Sequence, residues 1–377
     1  LAIFAKNNFP YEITIKTINI VISSSAMALL LFKSPFPKIV RCLLPFNFYF
    51  FYQYGVISRP YSMMMLFIFM AAIFYKERDI HPWKFIFSLS LLCFTSAYGI
   101  IISGGLCIAW CVEIIRETVK SKNFSKLFKD KRVWALVFIL VFALFLIACI
   151  IPADDCYYVT SKALKEKINQ KNDPFFQTFL FCILGLESWS GILLSGVSSV
   201  SIYLCELILG IIMIVYLIKI AVKNKKAIDL LAYFMLSGFM AFKYVSFHHV
   251  GVITMFLVFF FWIIYDKNGK IILPERTKKP TDTALSKLFK KTGAVLLCVI
   301  AVSPIFYSFA AAYNEITKMY SYTRMTDFIK ENNIDKANVM AGWQIFEDKK
   351  NPNNRFFNLP IPMQVLALDV YFNLGRK

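Results

Sequence analysis

The sequence predicts an all-α fold, a polytopic transmembrane bundle of about ten membrane segments with one interfacial helix and a short aqueous C-terminal tail. Three observations predict it. The 377 residues are 58% hydrophobic and 17% aromatic, with a mean hydropathy of +0.59, more apolar surface than one water-soluble core would bury. Several apolar runs approach or exceed the roughly 20 residues that cross about 30 Å of hydrocarbon. The basic residues fall in short loops between those runs, alternately dense and sparse, which is the pattern that orients membrane proteins.

Taken in order, spans are read at 13–32, 39–57, 61–75, 85–97, 99–115, 133–152, 201–220, 229–247, 249–265 and 293–312. They make residues 1–312 a transmembrane domain and leave 313–377 as an extracytoplasmic segment. The segments at 61–75, 85–97 and 249–265 are short for full spans and fit tilted, extended or partly crossing helices. The 85–115 stretch also reads as one long bent helix broken around Thr95–Gly99, since non-helical backbone at depth is tolerated against protein or a water-filled cavity. The loops 33–41, 76–84, 116–132, 219–229 and 266–292 carry 25 of the 42 Lys and Arg residues, which places them in the cytoplasm. Nine of the other 17 lie beyond residue 312, where long translocated segments count little.

Two outer stretches are not simple spans. A polar run, Lys162 to Asp173, precedes Phe175-Phe176-Gln177-Thr178-Phe179-Leu180-Phe181 and Trp189, a density of aromatic rings that suits a helix lying on the bilayer. The alternative, a full span over 178–198, would invert everything upstream and put the basic loop 116–132 outside. The tail reads as a helix from Tyr322 to Asn332 and a strand from Ala337 to Ala341, with proline-rich turns at Pro352, Pro360 and Pro362. The chain begins with Leu1 rather than Met, which fits a fragment or a processed form, and its first segment lacks the layout of a cleavable signal.

Composition also excludes. A net charge of +19 would suit a nucleic-acid partner, but no continuous basic, aromatic-interleaved soluble face exists to bind one. The nine cysteines lie mostly inside apolar runs and form no C-x-x-C pair, so they read as small packing residues. Phosphate-loop, dinucleotide, zinc-protease and lipase signatures are absent. The Asn123-Phe124-Ser125 sequon falls in a loop assigned to the cytoplasm.

Under this topology the unexplained polar residues gather at the outer ends of their segments. The chain turns there through Tyr54-Gly55-Val56-Ile57-Ser58-Arg59-Pro60-Tyr61. The Arg59 guanidinium suits a phosphate held by paired hydrogen bonds, or else a headgroup anchor with tyrosines in the aromatic belt. Asp154 and Asp155 follow Pro152; adjacent carboxylates suit a hard divalent cation, a catalytic base, or plain solvation. The further ligands of a metal site are not identifiable. Lys243, His248 and His249 follow within a few residues of each other, placed for anion binding or proton transfer. Neighbouring histidines on a helix point apart, so by themselves they make no metal site. Tyr98 lies at the same level, and Glu206 is a weaker candidate of the same kind.

The Tyr54–Tyr61 passage, the apolar run and basic loop after it, Ile151-Pro152-Ala153-Asp154, and His248-His249-Val250-Gly251 with its following aromatic run together resemble the GT-C class of membrane glycosyltransferases. Within that class the resemblance, over roughly residues 30–265, is to bacterial relatives of the protein O-mannosyltransferases. It implies a location in the bacterial plasma (inner) membrane and a sugar donor linked to polyprenyl phosphate. The sugar would go to a lipid, glycan or protein acceptor on the outer face. Arg59, Tyr61, Tyr98, Lys243, His248 and His249 would hold the phosphate, with Asp154 or Asp155 as the acidic group. The class carries an acidic residue in its first outer loop, whereas here only Glu12 precedes the first span. The resemblance thus implies either that this loop precedes Leu1 or that the catalytic step departs from the class. The rival readings are a transporter or flippase for a lipid-linked or anionic substrate, and a non-catalytic membrane subunit. Transporters often show internal repeats and charges near the midplane; here no repeat is visible and the charges cluster at one face.

Overall fold

The computed structural model describes residues 11–122, 128–150, 211–212, 214–243, 247–265, 305–314, 317, 331–332, 345–347 and 355–357. They fall into two compact units, 16–309 and a second made of 1–15 with 310–377. In the second unit Ile345–Glu347 (β1) pairs antiparallel with Arg355–Phe357 (β2), Phe346 opposite Phe356. The strand expected at Ala337–Ala341 lies outside the described residues, as do the interfacial helix and the loop 266–292.

The first unit is helical. Its elements are α1 (Tyr11–Lys33), α2 (Lys38–Leu43), a 3₁₀ turn (Leu44–Phe46), a π-helix (Tyr49–Val56), α3 (Tyr61–Tyr75), α4 (Pro82–Cys93), α5 (Ala97–Ser121), α6 (Lys131–Ile150), α7 (211–223, residue 213 apart), α8 (Leu230–Lys243) and α9 (Phe247–Ile264). A further helix, α10, covers 305–314. Among the described residues three helices, α1 from Thr14, α5 and α6, are long and apolar enough to cross a membrane, and α3, α4, α8 and α9 are shorter apolar helices. This is the architecture of a helical membrane protein.

The expected span 39–57 needs correction. The structure replaces it with α2, the 3₁₀ turn and the π-helix. Pro45 has no N–H to donate to a regular helix, and the Asn47 side chain accepts from Tyr49 N at 3.0 Å, diverting the backbone from a continuous ladder. The broken stretch is sheltered by protein, with Phe48, Tyr49, Phe50 and Tyr54 all buried, as irregular backbone at membrane depth requires.

The 85–115 stretch is two helices. Ser96 caps α5, accepting from Gly99 N at 3.5 Å, and the chain reverses between Phe94 and Ser96. Ser103 Oγ donates to Leu89 O at 3.1 Å and the Phe85 and Trp110 rings meet at 5.7 Å, so α4 and α5 run antiparallel. Around this hairpin α3 packs on α4 and α9, α8 on α5 and α9, and α6 on α4 and α5.

Burial explains the sequence of each helix. The centre is a block of large side chains, among them Phe69, Phe256, Phe259, Phe260 and Trp262, with Tyr233 and Met65. Small residues let α5 and α8 approach: a Cβ on Gly105 would lie 2.4 Å from Ala232 Cα, the close backbone contact typical of membrane helix pairs. Helix α6 instead exposes Phe138, Leu140, Val141, Leu144 and Phe145, an outward apolar face suited to lipid.

Candidate functional site

The stretch leading to Tyr61 is built on the π-helix. Ile57 N donates to Tyr52 O at 3.1 Å, a five-residue step. A Cβ on Gly55 would lie 3.1 Å from the Phe50 carbonyl oxygen, so a side chain fits poorly on this wide turn. The last carbonyls of any helix lack internal donors. Here Asn19, buried on α1, supplies them: its Nδ2 donates to Tyr54 O at 3.2 Å and Gly55 O at 2.9 Å. The chain then turns through Ser58-Arg59-Pro60, and Ser62 N and Oγ donate to Arg59 O at 3.3 and 3.2 Å, starting α3.

Three helices begin at this end of the bundle: α3 at Tyr61, α5 at Ala97 and α9 at Phe247. Their first turns meet through aromatic rings. The Tyr98 and His249 rings lie 5.0 Å apart, Tyr61 and His249 6.1 Å, and Tyr54 and Tyr61 5.2 Å. Gly251 lets the π-helix come this close, because a Cβ there would lie 2.2 Å from Tyr54 Oη and 2.5 Å from Tyr49 Cδ1. Arg59 lies in the turn between the π-helix and α3, two residues before Tyr61. Tyr54 and His249 are buried, while Arg59, Tyr61 and Tyr98 are half-buried. Arg59 and the two tyrosines are therefore more accessible than the imidazole.

The structure thus brings Tyr61, Tyr98 and His249 into one cluster, with Arg59 in the turn beside it. Lys243 is the last residue of α8 and His248 the second of α9, so both backbones reach the same end. Asp154, Asp155 and Glu206 lie outside the described residues. No group of three His, Cys, Asp or Glu side chains among the described residues is placed to hold a metal ion.

Sequence reasoning missed the convergence of helix N-termini, although Pro60 before Tyr61 and Ser96 before Ala97 were start signals. It also missed how tightly the opposite end is tied. Tyr75 Oη donates to Asp229 Oδ1 at 2.7 Å and accepts from Lys226 Nζ at 2.9 Å. Arg78 pairs with Glu113 and stacks 3.8 Å above the Tyr75 ring. Arg132 pairs with Asp130, Glu117 and Asp79 at 2.8, 2.8 and 3.2 Å, and Trp110 Nε1 donates to Asp79 Oδ1 at 3.0 Å. Burial works to raise the Asp79 carboxyl, but the Trp110 hydrogen bond and the Arg78 and Arg132 charges hold it below its usual range. Asp130 is likewise held low, against its burial, by Arg132. These contacts join 75–79, 113–117, 130–132 and 226–229, loops and helix ends of the kind the basic pattern assigned to one side, at the end opposite Tyr98 and His249.

Compared with family models, curated proteins and solved structures, the chain matches none.

Proposed function

We propose that the chain is a GT-C-like integral membrane glycosyltransferase that draws sugar from a polyprenyl-phosphate donor and passes it to an acceptor at the outer face. The observation that carries this reading is the convergence of the first turns of α3, α5 and α9 on Tyr61, Tyr98 and His249, beside Arg59. Each helix N-terminus carries roughly half a positive charge, and oriented N–H groups there are suited to phosphate. Breaking the sugar–phosphate bond leaves negative charge on the phosphate, which fixed donors and a guanidinium fork stabilise as it develops. Arg59 and the Tyr61 and Tyr98 hydroxyls are the groups first met by the phosphate. His249, behind the tyrosine rings, sets their positions and supplies a further donor. Lys243 and His248 are the further candidates for holding the phosphate. Asp154 and Asp155 are the acidic candidates, as base or as ligands of a divalent cation. The acceptor is a lipid, glycan or protein, and the bacterial plasma membrane is the setting that suits a polyprenyl carrier. A flippase reading is less well supported, because the charged groups gather at the two ends of the bundle.

The test is donor binding by the purified chain in nanodiscs. A polyprenyl-phosphate sugar is expected to bind saturably, and the polyprenol lacking phosphate at least about tenfold more weakly, the equivalent of about 1.4 kcal/mol. Equal binding of the two would remove phosphate recognition, and the reading with it.

A further inference from the structure

At the end of the bundle opposite Tyr98 and His249, an open cleft of about 820 Å³ lies between the C-terminal ends of α3, α5 and α9 and the turn before α8. Six cationic side chains line it against three acidic ones, Asp79, Glu113 and Glu117. Most of this charge is committed. Arg78 pairs with Glu113, Lys226 with Glu113 and Asp229, and Lys76 donates to the Tyr265 carbonyl. Arg116, Lys120 and Lys225 differ. All three are exposed on the rim of the cleft, and none forms an ion pair or side-chain hydrogen bond among the described residues. Lys225, with φ 58°, is the left-handed residue that closes the end of α7, where Lys226 N donates to Ala221 O at 2.7 Å. The fixed network of Arg78, Glu113, Lys226 and Tyr75 forms a rigid wall behind them.

Cations near the last turn of α5 are favoured by its dipole whatever their role. The same holds for Lys225 just past the end of α7, but the dipoles do not account for two separate helix ends turning their cations into one concave space. We propose that this cleft is a phosphate-anion site, filled by the phosphate headgroup of an anionic phospholipid, with Arg116, Lys120 and Lys225 as its recognising groups. Basic pockets between membrane helices suit such headgroups. A lipid held here would brace α3, α5, α8 and α9 at this end while the opposite end handles its own ligand. The inference does not depend on the glycosyltransferase reading.

The test uses the purified chain in detergent, titrated with micelle-dispersed short-chain phosphatidylglycerol, with phosphatidylcholine and with inorganic phosphate. Binding is followed by equilibrium dialysis and by thermal unfolding. Saturable phosphatidylglycerol binding, weakened at least about tenfold in the triple variant Arg116→Gln, Lys120→Gln, Lys225→Gln, is the expected result. Because all three residues are exposed, the variant is expected to unfold without ligand at the wild-type temperature. Single charge reversal, Lys225→Glu, gives a second reading with less change to the fold. Inorganic phosphate binding with the same loss in the variant would support the site and assign it to a soluble phosphate. Binding of phosphatidylcholine as tight as phosphatidylglycerol, or equal binding by wild type and both variants, would overturn it.

Discussion

Replacing Gly251 by alanine sets a methyl carbon 2.2 Å from Tyr54 Oη and 2.5 Å from Tyr49 Cδ1. Comfortable contact between such atoms is about 3.5–4.0 Å, so the two rings together must yield by about 1 Å or more. They have little room. Tyr54 is 0% and Tyr49 2% exposed, and their centroids lie 6.3 Å apart. Overpacking of this kind costs about 1–3 kcal/mol. Helix propensity works the other way, since alanine at a helical glycine gains up to about 1 kcal/mol. The clash is expected to prevail toward the upper end of its range, so that the net loss is up to about 2 kcal/mol. Gly238, in α8, is the control: a Cβ there meets nothing within 4 Å, so Gly238→Ala is expected to be neutral or stabilising. Thermal unfolding of both variants in one detergent is the assay. If Gly251→Ala were stabilised as much as Gly238→Ala, the seating of Tyr54 against α9 would be wrong, and with it the geometry that brings Tyr54 to Tyr61.

Three other outcomes follow from the packing. Gly104 and Gly105 are neighbours on α5 with opposite surroundings, the first open and the second against the Ala232 backbone at 2.4 Å; Gly105→Ala is expected to lose about 1–3 kcal/mol and Gly104→Ala none, by thermal unfolding. Asn19→Leu removes the donor to Tyr54 O and Gly55 O, leaving buried carbonyls unsatisfied at about 1–3 kcal/mol, and cysteine labelling at position 57 is expected to quicken as the π-helix loosens. Asp79 is held below its ordinary range, so its contribution is present above the unfolded carboxylate value near 4 and fades as pH falls through the lower folded value. The stability gap between wild type and Asp79→Asn is therefore expected to shrink as pH falls below about 4, read as the difference in unfolding temperature.

The helical class was legible because apolar length and loop charge act locally along the chain. The pairing of α4 with α5 was half legible: Thr95-Ser96 marked a break, but one bent helix and a hairpin read alike until Ser103 was seen against Leu89. The stretch 39–57 misled, since its hydrophobicity is that of a span while Pro45 and Asn47 divide its backbone. At the candidate site Tyr61, Tyr98 and His249 could be grouped from topology alone, each falling near the start of its segment. The convergence of three helix dipoles needed the packing, because it depends on which helices run the same way. The Tyr75–Asp229–Lys226 contacts could not be read at all: Tyr75 and Asp229 lie 154 residues apart, and a tyrosine at a helix end resembles any other interfacial tyrosine.

Arg59 gives the most direct test of phosphate recognition at the end where α3, α5 and α9 begin. Polyprenyl-phosphate-sugar binding and thermal stability are measured on the same nanodisc samples of wild type, Arg59→Ala and Arg59→Lys. A charge-assisted hydrogen bond to phosphate contributes about 1.5–3 kcal/mol, so Arg59→Ala is expected to bind roughly ten- to a hundredfold more weakly with little change in unfolding. Arg59→Lys keeps the charge but loses the planar fork, and is expected to fall between the two. Wild-type affinity in a normally folded Arg59→Ala protein would contradict the account and leave Arg59 as an anchor for lipid headgroups.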